Sequence, residues 1–214
     1  MALIVECLLA ANSASAQEVT DRTIATVSNG DRVELITLSD LVWQLALQPG
    51  TPLVAPTSQK LNQALQLVID QRLILQEAER LPGIAPSEAE ITQGLKNLAA
   101  QFPTQTELQD RATRVGLSSD QLREIVRQRV EIEKYLDFRF RSFTIVSPDE
   151  LKDYYAQVWA PRFRRQKAGQ IVPTVDEARA AIEKELTESK VESQIDEFLE
   201  GARNRAEITI LSPV

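Results

Sequence analysis

The sequence contains no histidine, a single cysteine (Cys7) and few aromatic residues, which make up 5% of the chain. Without histidine there is no imidazole acid-base catalysis, no Ser/His or Cys/His nucleophile pair and no His-containing zinc site. No DxD, HExxH, GxGxxG or GxxxxGK(S/T) pattern accompanies the acidic residues, which mostly stand at helical spacing beside Lys and Arg and read as solvated faces. No cofactor or metal is implied. The balance of positive charge is also short: 24 Lys and Arg against 31 Asp and Glu give a net charge of −7. That argues against a general nucleic-acid or anionic-membrane binder, which needs clustered cations. The one basic cluster, Arg162, Arg164, Arg165 and Lys167, reads as a solvated stretch.

What is present is enough apolar content, 43%, to build a core. The chain is organised around Leu61–Leu81, LNQALQLVIDQRLILQEAERL, which has no Gly or Pro and is long enough for about six helical turns. Leu61, Ala64, Leu65, Val68, Ile69 and Leu75 share one sector, and Leu67, Ile74, Ala78 and Leu81 widen it beyond half the circumference. Asn62, Gln63, Gln66, Asp70, Glu77 and Arg80 leave only a narrow polar stripe, so the helix needs neighbours on several sides, as a bundle's central member does. Arg72 points into the apolar sector. An unpaired guanidinium there is costly, so it should meet a carboxylate or carbonyls, or snorkel to water, as a structural pairing residue.

The N-terminus, MALIVECLLAANSASAQE, sets a short apolar run before Ala14-Ser15-Ala16, an A-x-A pattern that predicts a signal peptide over residues 1–16, cut before Gln17. Glu6 interrupts the run and no Lys or Arg precedes it; a start codon upstream of Met1 would supply the basic residues. Val5-Glu6 before Cys7 do not make a lipobox. Cleavage would remove the only cysteine and suit an oxidising compartment without disulfides. Beyond it no apolar run approaches the length of a membrane span.

Thr23–Thr37 reads as a hairpin around Asn29-Gly30, followed by a capping box at Thr37-Leu-Ser-Asp40 and a helix to about Leu47, stopped by Pro49-Gly50. Gly50–Ser58 is a loop into the core helix. Ser87-Glu-Ala-Glu90 opens a helix with Ile91, Leu95 and Leu98 on one face; a shorter helix runs from about Thr106 to Val115 with Gly116 beyond it. Ser118-Ser-Asp-Gln121 starts a long helix with the stripe Leu122, Ile125, Val126, Ile132, Leu136 and Phe140. Arg129 and Glu133 fall within that stripe at i, i+4 and are expected to pair with each other or across to a neighbour. Phe143–Val146 is a strand candidate, and Ser147-Pro-Asp-Glu150 starts a helix carrying Leu151, Tyr154, Tyr155 and Val158. Ala160–Pro173, with two prolines and a glycine, reads as a linker. In Thr174–Arg205 the apolar face changes partway: Val175, Ala178, Ile182 and Leu186 share one direction, and Val191, Ile195, Phe198, Leu199 and Ala202 a nearly opposite one. Its halves should have different partners. Ile208 and Ile210 then alternate as a strand that could complete a sheet with the hairpin.

This order of elements resembles the SurA-type periplasmic chaperones, which join a chaperone-like domain to parvulin-type prolyl isomerase modules. The likeness is carried by VSNGDRVELITLSDL, similar to the family's "vNge.It.sDl"; by VIDQRLILQEAERLPGI, similar to "lideklllqeAkrlgi"; by the SxxE and LSSDQLREIVRQRV helices; by TIVSPDELKDYYAQ, similar to "i.vsdeevk.yY"; and by the final KVESQIDEFLEGARNRAEITIL. It spans nearly all of residues 22–214. The resemblance implies a mainly α fold: a helical bundle around a central long helix, with a small β-sheet made of the N-terminal hairpin and the C-terminal strand. It implies a discontinuous chaperone-like domain over 17–159 and 174–214. Where relatives insert the isomerase module this chain has only residues 160–173, too few for such a domain, and the family's active-site histidines are missing. The chain is therefore expected not to be an enzyme.

On that resemblance the expected function is a periplasmic, ATP-independent chaperone that binds unfolded or extended segments of exported, outer-membrane-bound proteins. Trp43, Leu47, Tyr154, Tyr155, Trp159 and Phe163 are the candidate contacts, because they lie on short helices or beside the linker. The alternatives are a non-catalytic assembly subunit with one folded partner and, less favoured, an isomerase with a degenerate site. No nucleic acid and no stable membrane insertion is expected, and exchange of the final helix and strand between two copies is a route to a homodimer.

Overall fold

Thr37 closes one element and opens the next: it is the last residue of a strand, and its side chain accepts from the Asp40 backbone N–H at 3.3 Å while Asp40 accepts from the Thr37 backbone at 2.8 Å. This capping box fixes the entry of helix α1 (Leu38–Ala46) directly from the sheet. The computed structural model describes residues 21–30 and 32–214. The expected signal peptide, its cleavage position and Cys7 lie outside the described residues.

The hairpin forms from β1 (Thr23–Asn29) and β2 (Arg32–Thr37), with Asn29 in register with Arg32. The turn thus starts at Gly30, whose φ of 76° needs a residue without a Cβ, one position later than Asn29-Gly30 suggests. β3 (Glu207–Ile210) pairs antiparallel with β1, giving the order β2-β1-β3. The chain's last strand does complete the sheet begun by its first hairpin. A register shift between Thr23 and Ala25 lets Ile24 and Ala25, neighbours that would otherwise face opposite ways, both reach 0% exposure.

Against the inner face lies α2 (Ser58–Ala78), opened by Thr57 and so beginning three residues earlier than the apolar pattern shows. Ala64, Leu65, Val68, Ile69 and Leu73 join the sheet and Leu41 and Leu45 of α1 in one core. A turn later Ile74 and Ala78 contribute to a second core with Ile84, Tyr135, Phe198 and Leu199. The wide apolar sector is thus filled by different neighbours along its length; Leu67, at its margin, stays exposed.

Those neighbours are α1, α5 (Ser119–Arg139) and the late part of α8 (Val175–Arg205), together with the sheet. Helix α3 (Glu88–Ala99) packs on α5, where Gly94 lets the two backbones approach: a Cβ there would stand 2.8 Å from methyls of both Val126 and Val130. Helix α4 (Gln105–Arg114) closes a third core under α1, α3 and α5. Arg203 on α8 ties back to α2 through Asp70 at 2.7 Å and Gln66 at 2.8 Å.

The last third departs from expectation. Residues 143–146 are not a strand: a short 3-10 turn, Arg141–Phe143, follows α5 and irregular backbone leads to α6 (Pro148–Tyr154). Nor is 160–173 a bare linker, because α6 runs through a π-helical stretch, Tyr155–Trp159, into α7 (Ala160–Gln166). Pro161 does not break the helix since it stands directly after the wider π turn, where the ladder of i−4 bonds is already interrupted. The early part of α8 packs back on α6, around Leu151, Ala178 and Ile182. The change of face along α8 is real: its first half serves this small core, while Phe198, Leu199 and Ala202 serve the main body. No helix among the described residues is long and apolar enough to cross a membrane.

Candidate functional site

The expected contact residues divide between core and surface. Leu47 is 2% exposed and belongs to the core with Ile91, Leu98, Leu108 and Val126, so it is not available to a ligand. It looked free because it follows a short helix; α4 and α5 fold over it from far along the chain. Trp43 packs against the same core and donates its indole N–H to the Val115 carbonyl at 3.1 Å, which makes it chiefly a brace between α1 and the end of α4.

The other four stand together. Tyr155, Trp159 and Phe163 form a ladder along the α6–α7 rod, Tyr155 and Trp159 packed against the small core shared with α8, with centroids 5.8 Å and 5.2 Å apart and ring planes within 19° and 21° of parallel. Each is half-buried. Tyr155 donates to the Pro173 carbonyl at 2.8 Å, and Tyr154 donates to Glu185 on α8 at 3.0 Å. Arg162 reaches the same Glu185 oxygen at 2.6 Å, so this carboxylate clamps the rod to α8. Burial first, and then the hydrogen bond to Glu185, push the Tyr154 hydroxyl above its ordinary pKa, which keeps it a donor. Arg162 is thereby drawn out of the basic cluster, while Arg164, Arg165 and Lys167 are exposed.

A second apolar surface was not foreseen. Phe138, in the last turn of α5, and Phe143 and Ile145, on the connection to α6, are 50%, 71% and 79% exposed, and the Phe138 and Phe143 rings meet edge to face at 6.3 Å. Beside them a shallow cleft is lined by Arg139, Phe140, Phe143, Gln194, Glu197 and Phe198. The connection is fixed by polar bonds rather than by burial. Ser142 Oγ donates to the Asp137 carbonyl at 3.0 Å, Thr144 Oγ1 to the Phe140 carbonyl at 2.9 Å, and Lys190 on α8 to the Ile145 carbonyl at 2.8 Å. Reading these residues as a strand concealed the patch. The signal was Phe138, a large apolar side chain two positions before Phe140 and hence on the opposite face of the helix.

Between α1, α2 and α5 lies a cavity of about 40 Å³ whose lining includes Asp40, Trp43, Arg72, Gln128 and Arg129. Arg72 meets carboxylates, as its position requires: its Nε lies 3.6 Å from Glu34 and an Nη 3.8 Å from Asp40, and it donates to Gln128 Oε1 at 3.3 Å. Arg129 reaches across to α1, donating to Gln44 Oε1 at 3.0 Å, and not to Glu133, which is exposed and forms no ion pair among the described residues. Burial pulls the Arg129 pKa down from its ordinary value. Among the described residues no group of three or more Asp, Glu, Cys or His side chains is placed to hold a metal ion.

No protein-family model matches the chain. Among curated proteins it is similar to Chaperone SurA of Ralstonia nicotianae, with 25% identity over 199 residues that cover 90% of this chain and 40% of that protein. The chain thus spans less than half the length of the relative it matches, and the likeness is to a SurA-like family at a distance.

Proposed function

We propose that the protein is an ATP-independent chaperone that holds extended apolar segments of unfolded polypeptides, and that it does so without catalysing prolyl isomerisation. The observation that supports this best is the Phe138, Phe143 and Ile145 surface. Three large apolar side chains, half to four-fifths exposed, stand on backbone that side-chain hydrogen bonds hold in place. A protein that gained nothing from such a surface would bear the cost of its hydration and its tendency to aggregate. The aromatic ladder offers a second apolar strip, whose flat rings suit many side chains because stacking needs no fixed partner. The distant similarity to a chaperone points the same way.

On this reading the protein works in the periplasm on exported clients bound for the outer membrane, exported by the A-x-A-terminated N-terminus. The residues between α7 and α8, 167–174, are too few for a catalytic module, and the histidine-free sequence offers no imidazole for one. The test is suppression of light scattering by a urea-denatured outer-membrane β-barrel diluted with the protein at stoichiometric ratio. Suppression by the native chain, weakened in Phe143→Ser/Ile145→Ser, is expected. No suppression across salt and pH would sink the reading. A proline-isomerisation assay that showed turnover would overturn its non-enzymatic part.

A further inference from the structure

The cavity between α1, α2 and α5 brings two guanidiniums to one small space and gives them few hydrogen-bond acceptors. Arg72 and Arg129 carry about ten N–H donors between them. Within the described residues they make two hydrogen bonds, both to glutamine amide oxygens: Arg72 to Gln128 at 3.3 Å and Arg129 to Gln44 at 3.0 Å. Arg72 Nε is buried without a hydrogen-bond partner. The two nearby carboxylates reach Arg72 only as long ion pairs, at 3.6 Å and 3.8 Å, and give their hydrogen bonds elsewhere. Asp40 Oδ2 holds the Thr37 cap at 2.8 Å, and Glu34 Oε1 accepts from Gln76 at 2.9 Å; each leaves its other oxygen more than 3.5 Å from Arg72. Arg129 has no carboxylate within 4.0 Å among the described residues, although burial disfavours its charge. Its companions on the same helix do pair: Arg127 holds Glu131 at 2.5 Å and Glu124 at 2.7 Å.

We infer that this cavity is a binding site for a single carboxylate group, anchored on Arg129 and flanked by Arg72, with Trp43 as its apolar wall. The size fits: about 40 Å³ has room for roughly three waters or one carboxylate head. The chemistry fits too. A planar guanidinium presents parallel N–H pairs to two oxygens at once, and one added negative charge would answer the unpaired Arg129. The Arg72 and Asp40 side chains, each 20% exposed, mark where a ligand would enter. The carboxylate can come from the end of a polypeptide or from a small free acid. The inference stands apart from the chaperone reading, since failure to hold clients would leave it intact.

The full chain, in a Trp159→Phe background so that Trp43 is the sole tryptophan, is titrated with sodium acetate, with a short apolar peptide bearing a free C-terminus, and with the same peptide amidated. Sodium chloride holds the ionic strength constant. The expected result is a saturable change in Trp43 fluorescence and a rise in Tm with acetate or the free-ended peptide, and none with the amidated one. A response to the peptide at concentrations where acetate is silent assigns the site to chain ends; equal responses assign it to small acids. Gln44→Glu places a carboxylate beside Arg129 at nearly constant shape and is expected to raise Tm and abolish both responses. Arg129→Lys, which keeps the charge and loses the fork, is expected to weaken them at least tenfold. Absence of any saturable response in the native chain, or a response undiminished in folded Gln44→Glu protein, would overturn the inference and leave a cavity that holds water only.

Discussion

Arg111 Nε donates to the Ala46 carbonyl at 2.8 Å across 65 residues of sequence. Its Nη2 donates to Leu45, Gln48 and Thr51 at 3.0, 2.9 and 2.8 Å, so one guanidinium collects the carbonyls at the end of α1 and the loop beyond. The positive charge also faces the negative end of the helix dipole. Arg111→Met keeps the stem but takes the side-chain donor from all four carbonyls; Leu45 and Gln48 keep a backbone N–H each, whereas the buried Ala46 carbonyl loses its Arg111 partner. A loss of about 2–4 kcal/mol is expected, read as a lower urea midpoint at unchanged slope. Arg111→Lys should recover under half of it, because a single ammonium cannot span four acceptors.

Arg111 also shows where sequence reading stops. The helix starts were legible since their signals are local: Thr37, Ser87, Ser118 and Ser147 each cap within three residues. The return of β3 and the change of face along α8 were legible from periodicity. Arg111 carried no such signal, because its acceptors lie 60 to 66 residues away and look like any other backbone. Leu47 was misplaced for the same reason, its cover arriving from α4 and α5. The continuation of the helix through Pro161 was hidden by a rule about proline that holds for regular α-helices and lapses at a π turn. Of the two apolar surfaces, the sequence singles out the residues of the aromatic ladder and conceals the Phe143 patch.

Gly94→Ala sets helix propensity against packing. Alanine in a helix interior is favoured by about 1 kcal/mol over glycine. Here the added methyl would meet Val126 and Val130 at 2.8 Å, and valine in a helix has one strongly preferred rotamer, so neither can swing aside. Overpacking costs about 1–3 kcal/mol, and packing should win: Gly94→Ala is expected to be destabilised by up to about 2 kcal/mol. Val130→Ala in the same chain should recover part of this, giving a favourable coupling in a double-mutant cycle.

Acid should loosen two junctions together. Lys134 first, and the Ser87 cap second, lower the Glu90 pKa from 4.5 to about 2; Lys190 and then the Ser147 cap do the same to Glu150. Both folded pKa values lie below the unfolded one. The contribution is therefore complete above about pH 4.5 and is lost as pH falls toward 2. Both carboxylates are solvent-facing, which screens the effect. Thermal midpoints should fall more steeply over that window in the native chain than in Lys134→Met/Lys190→Met, and equal slopes would refute the assignment.

The two apolar surfaces should act independently. Glu185 faces the ladder and Gln194 faces the Phe143 cleft, and nine residues of helix turn these positions to nearly opposite sides of α8, about 14 Å apart along its axis. A short peptide cannot touch both, whereas a long unfolded chain can wrap from one to the other. The Phe143 surface is the more exposed, so it should carry short ligands. Phe143→Ser/Ile145→Ser is expected to weaken binding of a ten-residue apolar peptide by about tenfold, the value of partly burying two such side chains. Trp159→Ser/Phe163→Ser should leave that peptide unaffected but weaken a full-length denatured client. With the long client the two losses should add as free energies, as distant sites do. Peptide and client titrations by fluorescence anisotropy separate these cases, and peptide binding that fails with the ladder and survives loss of Phe143 and Ile145 would reverse the assignment.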